Sequence, residues 1–248
     1  MRSVIFLPGV VAPAAVRYGP LLERLPEVRP QLKDLEVYAE DSPPAGYETK
    51  TEVDAIDAAI TAAGLDAIHV YAHSGGGACA LAYVAAHPQR VLSLVVDEPA
   101  TDFSDADRSD PYWRQVDAAA ALEGPASVAA FLQLQVAPGV ALTLSRSGPA
   151  PSWLAKRPAG IKAFAAALRR HRVPEGSFAS FKPPVLFTYG SLTHPRWMAM
   201  RDRLADAFPD FRSEEFAGLH HMNTSHQAEP DRTATLLTEF WTLADARR

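Results

Sequence analysis

Short apolar runs alternate with amphipathic or alanine-rich runs along most of the chain. This alternation predicts βαβ units and a parallel sheet. Several of the short runs are apolar at nearly every position, as expected of strands that helices cover on both faces. The predicted strands are 3–7, 31–38, 67–72, 91–97, 185–189 and 211–216. The predicted helices are 19–25, 51–63, 76–86, 197–208 and 231–246.

The alternation stops between residues 103 and 181. This segment offers no clear strand, but three helical pieces separated by Pro and Gly: WRQVDAAAALEG, SVAAFLQLQV and GIKAFAAALRRHR. A segment of this length is too long for an ordinary loop. We therefore predict an α/β core of residues 1–102 and 182–248, with residues 103–181 forming a helical cap over one end of the sheet. The alternative is a longer helical layer of the core itself.

A serine stands where the third predicted strand turns into a helix, in the run Ala72-His73-Ser74-Gly75-Gly76. Small residues two before and two after a serine are typical of a nucleophile elbow, a tight strand-to-helix turn that exposes the hydroxyl. A glycine-rich turn of this kind can also bind phosphate, but neither G-x-G-x-x-G nor the P-loop pattern occurs. Tight packing without any catalytic role is the remaining alternative.

A serine nucleophile needs a base, and the histidines cluster in FAGLHHMNTSHQAEP, between the last predicted strand and the last helix. Loops that follow parallel strands meet at one edge of the sheet, so this loop should lie near Ser74. His220, His221 and His226 are the candidates. A metal site is the alternative use of such a cluster, but H-E-x-x-H is absent and one loop would supply nearly every ligand.

The order of serine turn, insertion, late histidine and closing helix resembles the α/β-hydrolase superfamily over nearly the whole chain except the cap. In that family the late loop usually reads Gly-x-Gly-His, and aligning Gly218 places His221 at the catalytic position. The resemblance implies an α/β-hydrolase fold with a mostly parallel sheet of about six strands. It also implies Ser74 as the nucleophile, His221 as the base, and no metal or organic cofactor.

The acid departs from the usual family pattern. The family most often places an aspartate after the strand here at 185–189, but that loop reads YGSLTHP and Thr193 holds the position. Some members carry the acid one strand earlier, where this chain reads LVVDEPA. Glu98, before Pro99, is therefore the predicted acid. Its neighbour Asp97 is the competitor, and since side chains alternate along a strand only one of the two should reach His221.

The resemblance also suggests two oxyanion donors, the backbone N–H groups of Gly75 and, from the first loop FLPGVVAP, Val10. That loop lacks the common His-Gly pair. The cap supplies large apolar side chains that would line a substrate pocket or simply pack against the sheet: Trp113, Phe131, Leu134, Trp153 and Phe164. We predict a serine hydrolase that cleaves small to medium apolar esters, lactones or thioesters through an acyl-enzyme. A lyase or cyclase on the same scaffold, or a binding protein with a degraded site, are the alternatives.

Composition and charge indicate which classes of partner and which compartment to expect. The 248 residues carry a net charge of −5 with both signs scattered, which disfavours nucleic acid and leaves a small apolar molecule as the predicted partner. No apolar run approaches the roughly 18 residues that suggest a membrane span. The single cysteine, Cys79, cannot form an internal disulfide, so we predict a cytoplasmic protein. The start, MRSVIFLPGVVAPAA, also resembles a signal peptide, although Pro8-Gly9 interrupts its short apolar run.

Overall fold

A single parallel sheet forms the centre of the protein. The structure is a computed structural model that describes residues 1–142 and 151–247. Six strands lie in the order β2-β1-β3-β4-β5-β6, and every neighbouring pair is parallel. The predicted sheet of about six strands is thereby confirmed. The strands are β1 (Arg2–Leu7), β2 (Val28–Leu32), β3 (Ile68–His73), β4 (Val91–Asp97), β5 (Val185–Gly190) and β6 (Phe211–Phe216).

Helices cover both faces of the sheet. The described helices are α1 (Ala14–Leu22), α2 (Thr49–Ala62), α3 (Ser74–Ala86), α4 (Asp105–Arg108), α5 (Tyr112–Ala120), α6 (Gly124–Gln133), α7 (Arg157–Arg170), α8 (Arg196–Ala207), α9 (Ser225–Ala228) and α10 (Pro230–Asp245). Alternate residues of β1 face opposite ways: Phe6 belongs to the apolar cluster that includes residues of α1 and α10, and Ile5 to the cluster that includes residues of α2, α3 and α8. No helix within 1–142 and 151–247 combines the length and the apolar character needed to cross a membrane.

The second strand lies earlier than the sequence pattern predicted. It occupies Val28–Leu32, whereas the prediction was 31–38. Leu35 and Val37 are buried with the spacing of a strand, but they belong to a loop and a short 3-10 helix, Glu36–Tyr38. The true strand is mostly exposed and contains Pro30, which an edge strand tolerates because it need not donate every ladder hydrogen bond.

The first helix begins five residues before its predicted start at 19. Pro20 lies inside α1, whereas proline usually occupies the first turn of a helix. The buried stripe of this helix consists of Ala14, Arg17, Tyr18 and Leu21. The spacing is that of an amphipathic helix, but one member of the stripe is charged.

The segment from 103 to 181 contains α4 to α7 and a short 3-10 helix, Ser152–Lys156. All three alanine-rich pieces are helical. The segment is attached at the carboxyl end of the sheet: Asp107 forms a fully buried ion pair of 2.5 Å with Arg196 of α8. Val136 also forms an isolated β-bridge with Thr193, just after β5. These contacts hold the segment above the strand ends.

Candidate active site

Ser74 occupies a strained turn between β3 and α3. Its φ angle is +52°, a left-handed conformation that non-glycine residues seldom adopt. A Cβ on Gly76 would lie 2.4 Å from the carbonyl oxygen of Leu7, so only glycine fits there. The N–H of Gly76 also donates to the carbonyl of Pro8 at 3.0 Å. Glycine at position 76 is therefore required by the closeness of the end of β1 and the loop after it.

Ser74, His221 and Glu98 are joined by two hydrogen bonds. The Ser74 hydroxyl lies 2.9 Å from His221 Nε2, and His221 Nδ1 lies 2.6 Å from Glu98 Oε2. All three side chains are buried. The three residues follow β3, β6 and β4, at the same edge of the sheet. With Nδ1–H donating to Glu98, Nε2 is left as the acceptor of the serine proton.

Glu98 is held by the backbone of the neighbouring strand. Its φ angle is +47°, and its Oε1 accepts the N–H of Gly190 at 2.7 Å. Burial and the charge of Asp97 raise the pKa of Glu98, and the hydrogen bonds of Gly190 and Thr193 act in the opposite direction. Thr193 stands where the family usually has its acid. Here its hydroxyl favours the ionised form of the acid that replaces it.

Two aromatic rings contact the imidazole of His221. The indole of Trp197 stacks on it with centroids 4.4 Å apart at 23°, and the ring of His73 lies 4.7 Å away at 33°. Trp197 is itself fixed by a hydrogen bond from Nε1 to the carbonyl of Pro99 at 2.8 Å. Burial lowers the pKa of His221 well below its ordinary value, and the positive charge of Arg17 adds to this effect. The ring is therefore a neutral base at neutral pH.

The other two histidines of the late loop have different environments. His220 is partly exposed and its Nδ1 accepts the N–H of Met222 at 3.2 Å. His226 is fully buried, and its Nδ1 lies 2.8 Å from Asp97 Oδ2. Asp97 and Glu98 thus face different histidines. Within residues 1–142 and 151–247, no three histidine, cysteine or carboxylate side chains are grouped so that they could hold a metal ion.

Arg17 was not predicted, yet it lies directly behind the site. Its Nε donates to His226 Nε2 at 2.8 Å, and its Nη2 lies 2.9 Å from His73 Nε2 and 3.2 Å from the Thr224 hydroxyl. Only 4% of its surface is exposed. Burial lowers the pKa of Arg17 from its ordinary value, while nearby acidic groups act in the opposite direction. A charged residue on the apolar stripe of α1 was the signal that could have found it.

The two predicted oxyanion donors are adjacent. A Cβ on Gly75 would come within 2.8 Å of Val10 Cγ1, so the β1 loop lies directly against the start of α3. The N–H of Val10 has no hydrogen-bond acceptor in the described part of the chain. The N–H of Gly75 belongs to the first turn of α3, where backbone N–H groups lack intrahelical acceptors.

A narrow apolar cavity of about 30 Å³ adjoins Ser74, Gly75 and Val10. Most of its wall comes from the segment 103–181, including Tyr112, Trp113, Phe131, Ile161, Phe164 and Leu168. Trp113 and Phe131 were predicted to line a pocket here. Trp153, also predicted, does not: its ring packs 5.2 Å from the Arg157 guanidinium in a separate cavity with Tyr38. The cation–π contact with Arg157 accounts for that position.

The most spacious cavity described, about 560 Å³, lies elsewhere. Arg2, Ala67 and Asp245 line it, so it opens at the amino ends of the strands. None of the predicted site residues reaches it. Ligands of open parallel sheets bind at the carboxyl ends of the strands, where Ser74 lies.

Known proteins resemble this chain in family and in fold. A family model described as the alpha/beta hydrolase fold matches residues 34–226. An esterase from Thermogutta terrifontis superposes with a TM-score of 0.75 at 16% identity, covering 98% of this chain and 90% of its own. An esterase from Exiguobacterium antarcticum gives 0.74 at 20% identity, with 97% and 91% covered. A carboxylesterase from Bacillus subtilis gives 0.65 at 17% identity, with 97% and 83% covered. No curated protein sequence matches the chain.

The family match spans well over half of the chain, from the loop before α2 to His226. It includes the serine turn, Glu98 and the loop that carries His221. The solved structures are distant in sequence and contribute the fold. The resemblance read from the serine turn and the late histidine loop is confirmed. The chain therefore belongs to the family of α/β hydrolases.

Proposed function

We propose that the chain is a serine esterase in which Ser74 attacks the acyl carbon. His221 takes the serine proton and then gives it to the leaving oxygen. Glu98 holds the imidazole with Nδ1–H toward itself and stabilises the imidazolium. The observation that carries this proposal is the continuous chain of hydrogen bonds, 2.9 Å from Ser74 to His221 and 2.6 Å from His221 to Glu98. Water then cleaves the acyl-enzyme.

The backbone N–H groups of Val10 and Gly75 would stabilise the tetrahedral oxyanion. Their adjacency and the free N–H of Val10 support this role. Preorganised donors of this kind contribute strongly in a buried site, because they need no reorganisation when charge develops. The positive end of the α3 dipole adds to the same effect. The absence of the usual His-Gly pair does not remove a backbone donor.

The substrates we propose are esters with a short apolar acyl chain; lactones and thioesters are related candidates. The support is the apolar cavity beside Ser74, whose volume of about 30 Å³ fits only a few carbon atoms. Residues 103–181 would act as a cap that excludes water from the acyl carbon. This chemistry needs no metal or organic cofactor. The single cysteine, Cys79, is buried and unpaired, which suits a reducing compartment such as the cytoplasm.

Two measurements test the proposed function. A fluorophosphonate probe should label the wild-type protein at Ser74, and Ser74→Ala should abolish both labelling and ester hydrolysis while the far-ultraviolet circular dichroism stays unchanged. A panel of p-nitrophenyl esters from acetate to decanoate should show the highest kcat/KM for short chains. Full labelling of the Ser74→Ala protein would disprove the assignment of the nucleophile. A preference for long chains would disprove the proposed acyl site.

A further inference from the structure

A second, smaller cavity lies on the other side of Ser74. Its volume is about 10 Å³, and the free space is about 270 Å³ when the open mouth is included. A cavity of this volume holds about one water molecule. Ser74 and Phe131 also line the apolar cavity, and the residues particular to this second cavity include Gly9, Arg17, His73, His221 and Met222. Unlike the apolar cavity, it touches the catalytic histidine and has a polar floor.

Arg17 contributes a buried cation to this floor, and its hydrogen-bond partners are all uncharged. Nε and Nη2 are held by His226, His73 and Thr224. Burial and the charge of Arg17 lower the pKa of His226 to about 4, and burial also lowers that of His73, so both rings are neutral at neutral pH. The third nitrogen, Nη1, has no acceptor among residues 1–142 and 151–247. A buried cation without a direct anionic partner is costly unless a ligand supplies one.

The surroundings of Arg17 leave room for an anion. None of the described residues that line the cavity is acidic. Asp97 and Glu98 lie behind the rings of His226 and His221, which separate them from the cavity. A second buried donor faces the same region: His73 Nδ1 forms no hydrogen bond in the described chain, although the backbone of His221 lies near it. Gly9 keeps the floor open, because a Cβ there would lie 2.9 Å from that nitrogen.

Each of the two cavities suits one part of the substrate. His221 must protonate the leaving oxygen, so the leaving group belongs in the cavity that His221 lines. The apolar cavity touches Gly75 but not His221, and therefore suits the acyl chain. Arg17 then lies on the leaving-group side of the scissile bond.

We propose that Arg17 binds a carboxylate on the leaving group, so that the preferred substrates are short-chain acyl esters of 2-hydroxy acids. This inference rests on the proposed esterase function and goes beyond it by naming the alcohol part. A guanidinium and a carboxylate form strong, directed hydrogen bonds. One carboxylate oxygen takes the enclosed position beside Nη1, and the remaining atoms extend toward the open mouth.

The reaction balances without a further reactant. Ser74 Oγ forms a bond to the acyl carbon as its proton passes to His221. The bond from that carbon to the hydroxy-acid oxygen breaks, and His221 returns the proton to this oxygen. The free hydroxy acid departs, water attacks the acyl-enzyme, and the products are the short fatty acid and the hydroxy acid.

The test compares two esters that differ only in charge, O-butanoylglycolate and O-butanoylglycolamide. Each kcat/KM is divided by the rate of alkaline hydrolysis of the same ester, which removes their different intrinsic reactivities. The wild-type protein should prefer the carboxylate by about tenfold to a hundredfold, the range expected of a hydrogen bond to a charged group. Glycolate should likewise inhibit competitively at lower concentration than glycolamide.

Variants of Arg17 test whether this residue causes the preference for the carboxylate ester. Arg17→Gln should lower kcat/KM for both esters, because it also frees His73 and His226, but the carboxylate preference should fall to about one. Arg17→Lys should retain part of it, since lysine keeps the charge with fewer directed donors. Arg24→Gln is the matched control, because it removes the same charge from an exposed arginine that pairs with Glu23 and Asp231. Its preference should equal that of the wild type.

The outcomes separate this inference from the function on which it rests. Equal hydrolysis of the two esters by the wild-type protein, or a preference that survives in Arg17→Gln, would overturn the anion site and leave the esterase proposal intact. No hydrolysis of either ester, together with no fluorophosphonate labelling, would overturn the esterase proposal. If Arg17→Gln does not fold, Arg17→Lys takes its place: a carboxylate preference as strong as that of the wild type in Arg17→Lys would overturn the anion site.

Discussion

Two carboxylate–histidine pairs lie side by side at the end of β4, and the second nitrogen of each histidine has a different partner. Glu98 pairs with His221 at 2.6 Å, and Asp97 pairs with His226 at 2.8 Å. The two acids are neighbours in sequence, and all four side chains are buried. In each pair the carboxylate accepts Nδ1–H and leaves Nε2 as the acceptor. The pairs therefore differ in what each Nε2 meets.

His221 Nε2 meets the hydroxyl of Ser74, a group that can give up a proton. His226 Nε2 meets the guanidinium of Arg17, a permanent cation that only donates. A proton arriving at His221 is stabilised by Glu98, whereas a proton arriving at His226 would face Arg17 directly. We therefore expect the same pairing of residues to give a base at His221 and a rigid support at His226, according to the partner of each Nε2.

Replacing each histidine in turn is the strongest test of this contrast. His221→Ala should lower kcat by about 10⁵-fold, as expected when a triad base is removed. His226→Ala should cost at most about a hundredfold, because it disturbs the support of the site but leaves the proton path intact. Kinetics on p-nitrophenyl butanoate, with circular dichroism to confirm folding, would measure both. Equal losses would mean that the two pairs act as one catalytic unit.

Replacing each acid by its amide should also distinguish the two pairs, by how much kcat falls. Glu98→Gln keeps the shape but favours the wrong tautomer of His221, so kcat should fall by about 10⁴-fold. Asp97→Asn should have a much milder effect on kcat. Thr193→Asp in the Glu98→Gln background should restore part of the rate, because Thr193 occupies the usual acid position and contacts Glu98. An unchanged kcat/KM and pH profile in Glu98→Gln would show that a Ser–His dyad suffices.

Much of this arrangement could be predicted from the sequence, because it depends on local pattern and on parallel topology. The small residues around Ser74 predicted the tight turn, and the position of the histidine loop after the last strand predicted that His221 would lie near it. Glu98 was preferred to Asp97 because LVVDEPA resembles the strand-end Glu-Pro of some family members, and alternation along β4 indicated that only one of the two acids would reach His221. In the structure, hydrogen bonds join Ser74, His221 and Glu98.

The parts that escaped prediction depend on which buried groups meet from distant segments. Arg17 was missed because the predicted start of α1, at residue 19, lay beyond it. The sequence pattern assigned no role to His73, and only the fold shows that its ring lies 4.7 Å from His221. Trp153 was misassigned because a large apolar side chain carries no information about which of two neighbouring cavities it lines.

The Asp97–His226 pair should affect how the free energy of unfolding depends on pH. The pKa of His226 falls from 6.5 to about 4 in the folded protein, because of burial and the charge of Arg17. Between these values the unfolded chain binds a proton that the folded chain does not, so stability declines as pH falls from 6.5 to 4. The contribution of this one residue amounts to about 3 kcal/mol over that window.

His226→Gln removes this contribution, because glutamine stays neutral at every pH while retaining groups that can bond to Asp97 and Arg17. Urea unfolding at pH 7 and pH 4.5 would measure it. The variant should be less stable than the wild type at pH 7, and should lose less stability than the wild type on acidification. The same loss in both proteins would contradict the assignment of a depressed pKa to His226.

The smallest expected effect concerns the pKa of His221, which burial and then the positive charge of Arg17 lower. The pKa of His221 lies below 6.5 because of burial first and then the positive charges of Arg17 and Arg196, with His220 and His226 adding smaller effects. The ring of His73 also lies 4.7 Å from the His221 ring, tilted by 33°. Glu98 is the one carboxylate in contact with His221 among the described residues, and it favours the imidazolium. Since the base must be neutral to act, the acid limb of kcat/KM for a neutral ester should have its midpoint below pH 6.5.

Arg17→Gln removes a cation that opposes protonation of His221, so the midpoint of its acid limb should move upward, by about one pH unit or less, whereas Arg24→Gln should not move it. A midpoint above 6.5 in the wild type, or a downward shift in Arg17→Gln, would mean that Arg17 acts on His221 through the shape of the site and not through its charge.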